Sequence, residues 1–401
     1  MKVAEPQPSR RGRSLPASPI RRLAPLAAAA EARGLHVHYL NIGQPDLAPP
    51  PDVVAAMDQA SNVRLSYAPS RGLPDTVNAW VGYYRNAGIE IEPSDVLVTA
   101  GASEALSLAF LLSCDPGDDV LVPEPFYAPY RGVASIYGAR IVPVPLGSGF
   151  APPSIDAFQR ALTPRTRAIL ICSPNNPTGT VYTREDLIAL GSFAREHGLF
   201  LLSDETYREI VFNGPAAPSA LSIPELEATA IVIDSLSKRF NVCGVRIGSL
   251  VSRNEAIMSA ALELAELRLA VPAVEQHAAS AALNTPAEYL HDLVSTYDRR
   301  VSAVVDGLAG APGVEARKPD GAFYVAARLP IESAERFAAW LLSEFSVDRE
   351  TVMVTPMSDF YATPGRGLNE IRIACIVSEQ ELARASRILC LGLEQYQQSR
   401  T

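Results

Sequence analysis

Between residues 95 and 252, short apolar runs alternate with segments of helical length. The runs are DVLVT (95–99), DVLVP (119–123), RIVPVPL (140–146), AILIC (168–172), LFLLS (199–203), AIVIDS (230–235) and IGSLV (247–251). Strands with no polar alternation are buried on both faces, and helices packed on either side of a mostly parallel sheet provide that burial. Stretches 103–113, 127–137, 154–162 and 184–197 supply the helices, and Thr183 with Asp186 three residues on marks the start of the last. The rhythm therefore predicts a doubly wound α/β layer.

Beyond about residue 290 the pattern changes. A charged helix over 286–309 precedes the turn-rich stretch APGVEARKPDGAFYVAARL, an amphipathic helix over 332–345, and strands at VMVT and EIRIACIV. These predict a smaller α+β lobe of solvent-facing character. A further helix is expected over 18–33, after a basic N-terminal stretch.

At 401 residues the chain is long enough for a large core in two or three domains. A formal charge of −9, from 35 basic and 44 acidic residues, argues against nucleic acid or an anionic membrane surface as the main partner. No apolar run approaches the ~20 residues of a membrane span. The paired arginines of SRRGRSLPASPIRRLAPLAAAAEA lack the apolar stretch of an export signal. Five cysteines (Cys114, Cys172, Cys243, Cys375, Cys390) show no pairing or metal-ligand spacing, which reads as reduced thiols in a cytoplasmic protein. The histidines form no metal pattern either. His36 and His38 alternate along a strand, where packing or exposure is expected, and no metal is predicted.

Ligands of open α/β sheets gather beyond the carboxyl ends of the strands. After DVLVT, AGASEALSLAF aims backbone N–H groups and Ser103 at one point, suiting a phosphate, although Ser103 also suits a plain helix cap. After AILIC, Asn176 in SPNNPTG sits in a rigid turn. After LFLLS, Asp204 in DETY ends a buried strand, where a carboxylate requires a cation or several donors, with Tyr207 nearby. After AIVID comes SLSKRFNVCGVRIG (235–248), with Lys238 and Arg246 in apolar, glycine-punctuated surroundings. A lysine there suits covalent engagement, and the arginine a planar anion. Anion clamp, carboxylate, ring-oxygen donors and amine together match the needs of pyridoxal 5′-phosphate.

The chain resembles the fold-type I, class I/II aminotransferases of the aspartate aminotransferase superfamily over roughly residues 18–395. Ser235–Gly248 follows the family's lysine signature, with Gly244 and Arg246 at the expected offsets. The resemblance implies an α/β large cofactor-binding domain over 48–288, a smaller α+β domain assembled from 18–47 and 289–401, and a flexible arm over 1–17. It implies amino-group transfer from an α-amino acid to a 2-oxo acid by a ping-pong mechanism through a Schiff base on Lys238. Asp204 would pair with the ring nitrogen, and Asn176 and Tyr207 would serve the ring oxygen. Ala102, Ser103, Ser235 and Arg246 would hold the phosphate, with Gly101 and Ser237 in the same cofactor set. Tyr127, in PEPFYAPY, matches the stacking aromatic. Tyr67, in SYAPSRG, matches a tyrosine that reaches the neighbouring subunit's phosphate, implying a homodimer with shared active sites. Gly43 and Arg372 match the groups that grip the substrate α-carboxylate, beside Asn176.

Two stretches depart from the family pattern. Met357 stands where many relatives carry a glycine near the substrate entrance, to narrow the pocket or to pack against the small lobe. GLPD follows Tyr67 where Leu-Arg is common. No second substrate arginine is evident, so a preference for aspartate or glutamate has no support in the sequence. Elimination, replacement, decarboxylation or oxidation on the same machinery is the alternative chemistry. A DNA-binding regulator on this fold would need a module that residues 1–35 are too short to form.

Overall fold

The computed structural model describes residues 6–9, 12–13, 15, 18–60 and 66–399. Much of the arm expected over 1–17 therefore lies outside the described residues. The first strands in chain order are β1 (His36–Tyr39), β2 (Val96–Thr99), β3 (Asp119–Glu124), β4 (Arg140–Pro145), β5 (Thr166–Cys172), β6 (Phe200–Asp204) and β7 (Ala230–Ser235). They are followed by β8 (Gly248–Val251), β9 (Glu315–Ala316), β10 (Tyr324–Arg328), β11 (Glu350–Met353), β12 (Thr355–Pro356) and β13 (Glu370–Ala374).

A seven-stranded sheet has the order β2-β8-β7-β6-β5-β3-β4. β8 runs antiparallel to both neighbours and the other pairings are parallel. Side chains alternate along each strand, so an unbroken apolar run feeds two cores at once. Ile169, Ile171, Leu201 and Val232 enter one core, while Ala168, Leu170, Leu202, Ile231 and Ile233 enter the other. Helices Pro74–Asn86 and Arg184–Glu196 contribute to the first face, and Ala102–Ser113 and Glu255–Arg268 to the second. The start of Arg184–Glu196 carries the full reciprocal cap between Thr183 and Asp186. RIVPVPL forms the edge strand β4, which accommodates Pro143 and Pro145 because an edge leaves one row of N–H groups unpaired.

A third core joins residues between 23 and 40 to residues between 301 and 396. Above it β12-β13-β10-β9 form an antiparallel sheet, and β1 pairs in parallel with β11. The expectation for the turn-rich stretch is corrected here. The turn-rich stretch contains β10, which pairs with β13 along its whole length, and both strands are largely buried rather than solvent-facing. Tyr324–Ala327 carries no polar alternation to announce the strand, and the preceding Lys-Pro-Asp-Gly masks its start. His36 is exposed and His38 buried, with His38 Nε2 2.9 Å from Glu350. The fold also brings ligand atoms of His36, His38 and Glu381 within 4.8 Å of one another, a proximity invisible in the spacing. Among the described residues no helix is long and apolar enough to cross a membrane.

Register decides where the loops meet. Cys172 pairs with Asp204, and Asp204 with Ile233, so the segments after β5, β6 and β7 emerge side by side. Gly248 on β8 pairs with Thr99 on one side and Ser235 on the other, drawing the loops after β2 and β7 together. A Cβ at Gly248 would stand 2.5 Å from the Asp234 carbonyl oxygen and 2.8 Å from the Gly101 carbonyl carbon. Gly248→Ala should therefore lower stability by about 1–3 kcal/mol, the ordinary cost of overpacking. Denaturant unfolding of the purified variant checks this, and an unchanged midpoint would contradict it.

Candidate active site

Asp204 closes β6 in a buried position. Tyr130 donates to its Oδ2 at 2.7 Å, and the Thr206 N–H donates to Oδ1 at 3.1 Å. Both donors are neutral. Burial pushes the carboxyl above its usual range despite these hydrogen bonds, and among the described residues no neighbouring cation offsets the cost. Asp204 caps no helix; the chain continues in turns. Such a group is suited to a cationic partner brought in by a ligand.

Lys238 lies on the turn after β7. Its Nζ donates to the Gly43 carbonyl at 2.6 Å and lies 3.5 Å from Cys243 Sγ. Burial, then the positive field of Arg372 and Arg246, holds its amine below the ordinary lysine range, against the opposing influence of Cys243. The turn itself is fastened. Ser235 Oγ bonds Ser237 Oγ at 2.9 Å, the Ser237 N–H donates to Ser235 Oγ at 3.2 Å, and Cys243 Sγ donates to the Ser237 carbonyl at 3.2 Å. Beneath it the fully buried Arg239 pairs with Asp234, with its guanidinium 4.7 Å from the centre of the Tyr83 ring.

An anion cradle adjoins the lysine. Gly101 has φ 76° and ψ 175° and precedes helix Ala102–Ser113, whose first turn has no side-chain cap. Ser103 therefore does not cap the helix, and its hydroxyl lines the cavity instead. Arg246, at φ 56°, folds back so that Nη1 donates to the Cys243 carbonyl at 3.0 Å. A Cβ on Gly101 would stand 2.6 Å from Arg246 Nη2, so only glycine lets the guanidinium approach the helix N-terminus this closely.

Opposite these groups, Arg372 of β13 is only 1 % exposed. Its Nη1 donates to Asn176 Oδ1 at 2.9 Å and its Nη2 to the Asn41 carbonyl at 2.5 Å. Its guanidinium stands 4.4 Å from the Tyr324 ring centre and 5.3 Å from that of Phe360. Because the Asn176 oxygen is occupied by Arg372, its amide NH₂ remains as the donor. Tyr207 and Tyr324 share a hydrogen bond of 2.9 Å, and burial raises both phenols, Tyr324 to about 12. A Cβ on Gly43 would overlap the Tyr324 hydroxyl.

These groups surround one cavity of about 460 Å³. It brings together Gly43, Ala102, Ser103, Tyr127, Asn176, Asp204, Tyr207, Ser235, Ser237, Lys238, Arg246 and Arg372. Gly101 stands behind the cradle rather than on the cavity wall. Tyr67 is 83 % exposed and does not line the cavity of its own chain. Met357 is fully buried against Ala128, Ala326, Phe360 and Tyr361, so it packs and does not narrow the pocket.

Residues missed in the sequence include Tyr130, Thr206, Tyr324, Cys243 and Arg21, all but Tyr130 lining the cavity. Tyr130 stood in view, three residues beyond Tyr127 in PEPFYAPY. Tyr324 lay in the stretch read as turns.

A buried carboxylate without a cation, an amine of lowered basicity and a cationic cradle at a helix N-terminus form the donor set that pyridoxal 5′-phosphate requires. The fold and the cavity fit an α/β enzyme that uses this coenzyme. The family model of aminotransferase class I and II matches residues 36–389. An LL-diaminopimelate aminotransferase of Desulforudis audaxviator is 33% identical over 96% of this chain and 98% of that protein. An aspartate aminotransferase of Geobacillus stearothermophilus is 33% identical over 79% of this chain and 84% of that protein. The alanine aminotransferase structure from Pyrococcus furiosus superposes with a TM-score of 0.88 at 30% identity, covering 97% of this chain and all of that one. The chain belongs to the class I and II aminotransferases and is a pyridoxal phosphate-dependent transferase of amino groups.

The lowered basicity of Lys238 has a measurable sign. In coenzyme-free protein its neutral amine should appear at lower pH than that of an ordinary lysine. Amine labelling followed by peptide mass analysis over pH 7–11 should place the Lys238 midpoint below the ~10.4 of free lysine. A Lys238 midpoint at or above that free-lysine value would contradict it.

Proposed function

We propose that this aminotransferase acts through Lys238, with Asp204, Asn176 and Tyr207 on the coenzyme ring and Arg372 on the substrate. The observation that carries this reading is the convergence of Lys238, Asp204, Arg246 and Arg372 on one cavity at aligned strand ends. The coenzyme, when bound, supplies an electron-withdrawing ring that stabilises negative charge at the substrate Cα.

The remaining work falls to the chain. Lys238 Nζ would hold the coenzyme, and its free amine, with basicity lowered by burial, would take up the proton from the substrate Cα. Asp204 would favour a protonated ring nitrogen beside it, because a neighbouring cation would relieve the cost of its own buried charge. Arg372 grips the α-carboxylate and so orients the Cα–H bond toward Lys238 Nζ. Its tie to Asn176 couples substrate grip to the ring-oxygen donor. Ala102, Ser103, Ser235, Ser237 and Arg246 take the phosphate, helped by the helix N-terminus.

Residues 18–47 with 289–401 act as the small domain that carries Arg372, and 48–288 as the coenzyme domain. The exposed Tyr67 serves a second copy of the chain in a homodimer with shared sites. The five free cysteines support a reducing, cytoplasmic setting. A stoichiometric amount of a reactive amino acid should convert the bound coenzyme to its amine form with release of one 2-oxo acid. Lys238→Ala should slow steady-state turnover by about 10³-fold or more. Borohydride should fix the coenzyme to Lys238 in the parent protein. Unchanged turnover by the variant, or fixation elsewhere, would refute the assignment.

A further inference from the structure

Away from the coenzyme cavity, the two histidines of β1 belong to a cluster that amino-group transfer does not use. Side chains two residues apart on a strand share a face, so His36 and His38 stand together, with their rings edge to face and 4.6 Å between centres. The first turn of helix Glu379–Gln398 brings Glu381 against them, where the Glu381 N–H donates to Ser378 Oγ at 3.2 Å. One ligand atom from each of the three side chains lies within 4.8 Å of the other two. None of the three lines the coenzyme cavity.

His38 shows what the cluster is arranged for. It is only 4 % exposed, and its Nε2 lies 2.9 Å from Glu350 Oε2. Glu350 also accepts from Arg384 Nε at 3.0 Å and from Nη2 at 3.3 Å, so it stands as a carboxylate and Nε2 carries the proton. In the neutral imidazole the lone pair then belongs to Nδ1. That atom is buried, makes no hydrogen bond among the described residues, and lies 3.5 Å from Glu381 Oε1. A histidine that donates one ring nitrogen to a carboxylate and leaves the other bare is set up as a metal ligand, with its tautomer and orientation already fixed.

The separations agree. With bonds of about 2.0–2.1 Å to a tetrahedral ion, neighbouring donor atoms stand about 3.4 Å apart, which is the distance His38 and Glu381 already have. His36 is exposed, and among the described residues its ring makes no hydrogen bond, so it is free to turn toward the other two. Two imidazoles and one carboxylate suit zinc-class ions rather than magnesium or calcium, which take oxygen sets.

We propose that His36, His38 and Glu381 bind one zinc-class divalent cation. The site joins β1 to the C-terminal helix. β1 runs on into Leu40, whose carbonyl accepts from the Ala374 N–H at 2.8 Å, and into Asn41, whose carbonyl accepts from Arg372. A cation held there fastens the strand that leads to the Arg372 contacts, and stabilises the folded chain by binding it alone.

The test uses holoenzyme stripped of metal with a chelator and titrated with zinc chloride in a calorimeter. The parent protein should bind one zinc ion per chain at this site. His36→Gln and Glu381→Gln, both at the surface, should each weaken that binding by about 10- to 100-fold. Zinc should raise the Tm of the parent protein and leave that of His36→Gln unmoved. Bound coenzyme, seen by its colour, and unchanged amino acid turnover in the variants control for folding. Absence of zinc binding by the parent protein overturns the inference, which is the result expected if His38 only bridges Glu350 and Glu381 as an ion pair. Binding of equal strength in the parent protein and both variants also overturns it, because the ion then sits on the cysteines or on the coenzyme.

Discussion

The buried carboxylate of Asp204 is the constraint from which the architecture is most readily understood. A charged group at the end of a strand inside a two-sided sheet is costly, and Tyr130 and Thr206 relieve the cost only in part. Every neighbouring loop is arranged as if a cation were to arrive. Register aligns the ends of β5, β6 and β7, and Gly248 locks the loops after β2 and β7 together, so that an amine, a cationic cradle and the carboxylate face one cavity. The price is a set of charges that the protein alone does not neutralise.

Two supporting layers keep that cavity in shape. Below the lysine turn, Arg208, Glu209, Arg239 and Asp234 form a buried ionic cluster with Tyr83. Such clusters add little net stability over apolar packing, but removing one member leaves an uncompensated charge, so their geometry is held firmly. Above it, Arg372 lies between the rings of Tyr324 and Phe360 and is tied to Asn176 and Asn41. The second layer reaches the N-terminal segment through Asn41 and Ile20. Arg372 and the N-terminal segment at the cavity therefore share one chain of hydrogen bonds.

Much of this was legible in the sequence because it depends on short-range order. Apolar runs gave the strands of the large sheet, and SLSKRFNVCGVRIG gave the lysine and the arginine at a fixed offset. What stayed hidden depends on distant parts meeting. β10 lacks polar alternation because both of its faces are covered, so it read as a turn-rich segment. Arg21 looked like one more charge in a basic stretch, since its cavity is built by residues as far along as Arg372. Met357 was read as a possible pocket residue, whereas packing against Phe360 turns it inward. Ser103 was ambiguous between cap and ligand until the helix start proved to be Gly101, without a side-chain cap.

The central claim is that Asp204 requires a protonated ring nitrogen as its partner. Nitrogen magnetic resonance of holoenzyme loaded with ring-¹⁵N coenzyme measures this directly. The ring nitrogen should remain protonated from pH 6 to 9 in the parent protein and lose its proton within that range in Asp204→Asn. An unprotonated ring nitrogen in the parent protein, or the same titration in both, would contradict the account.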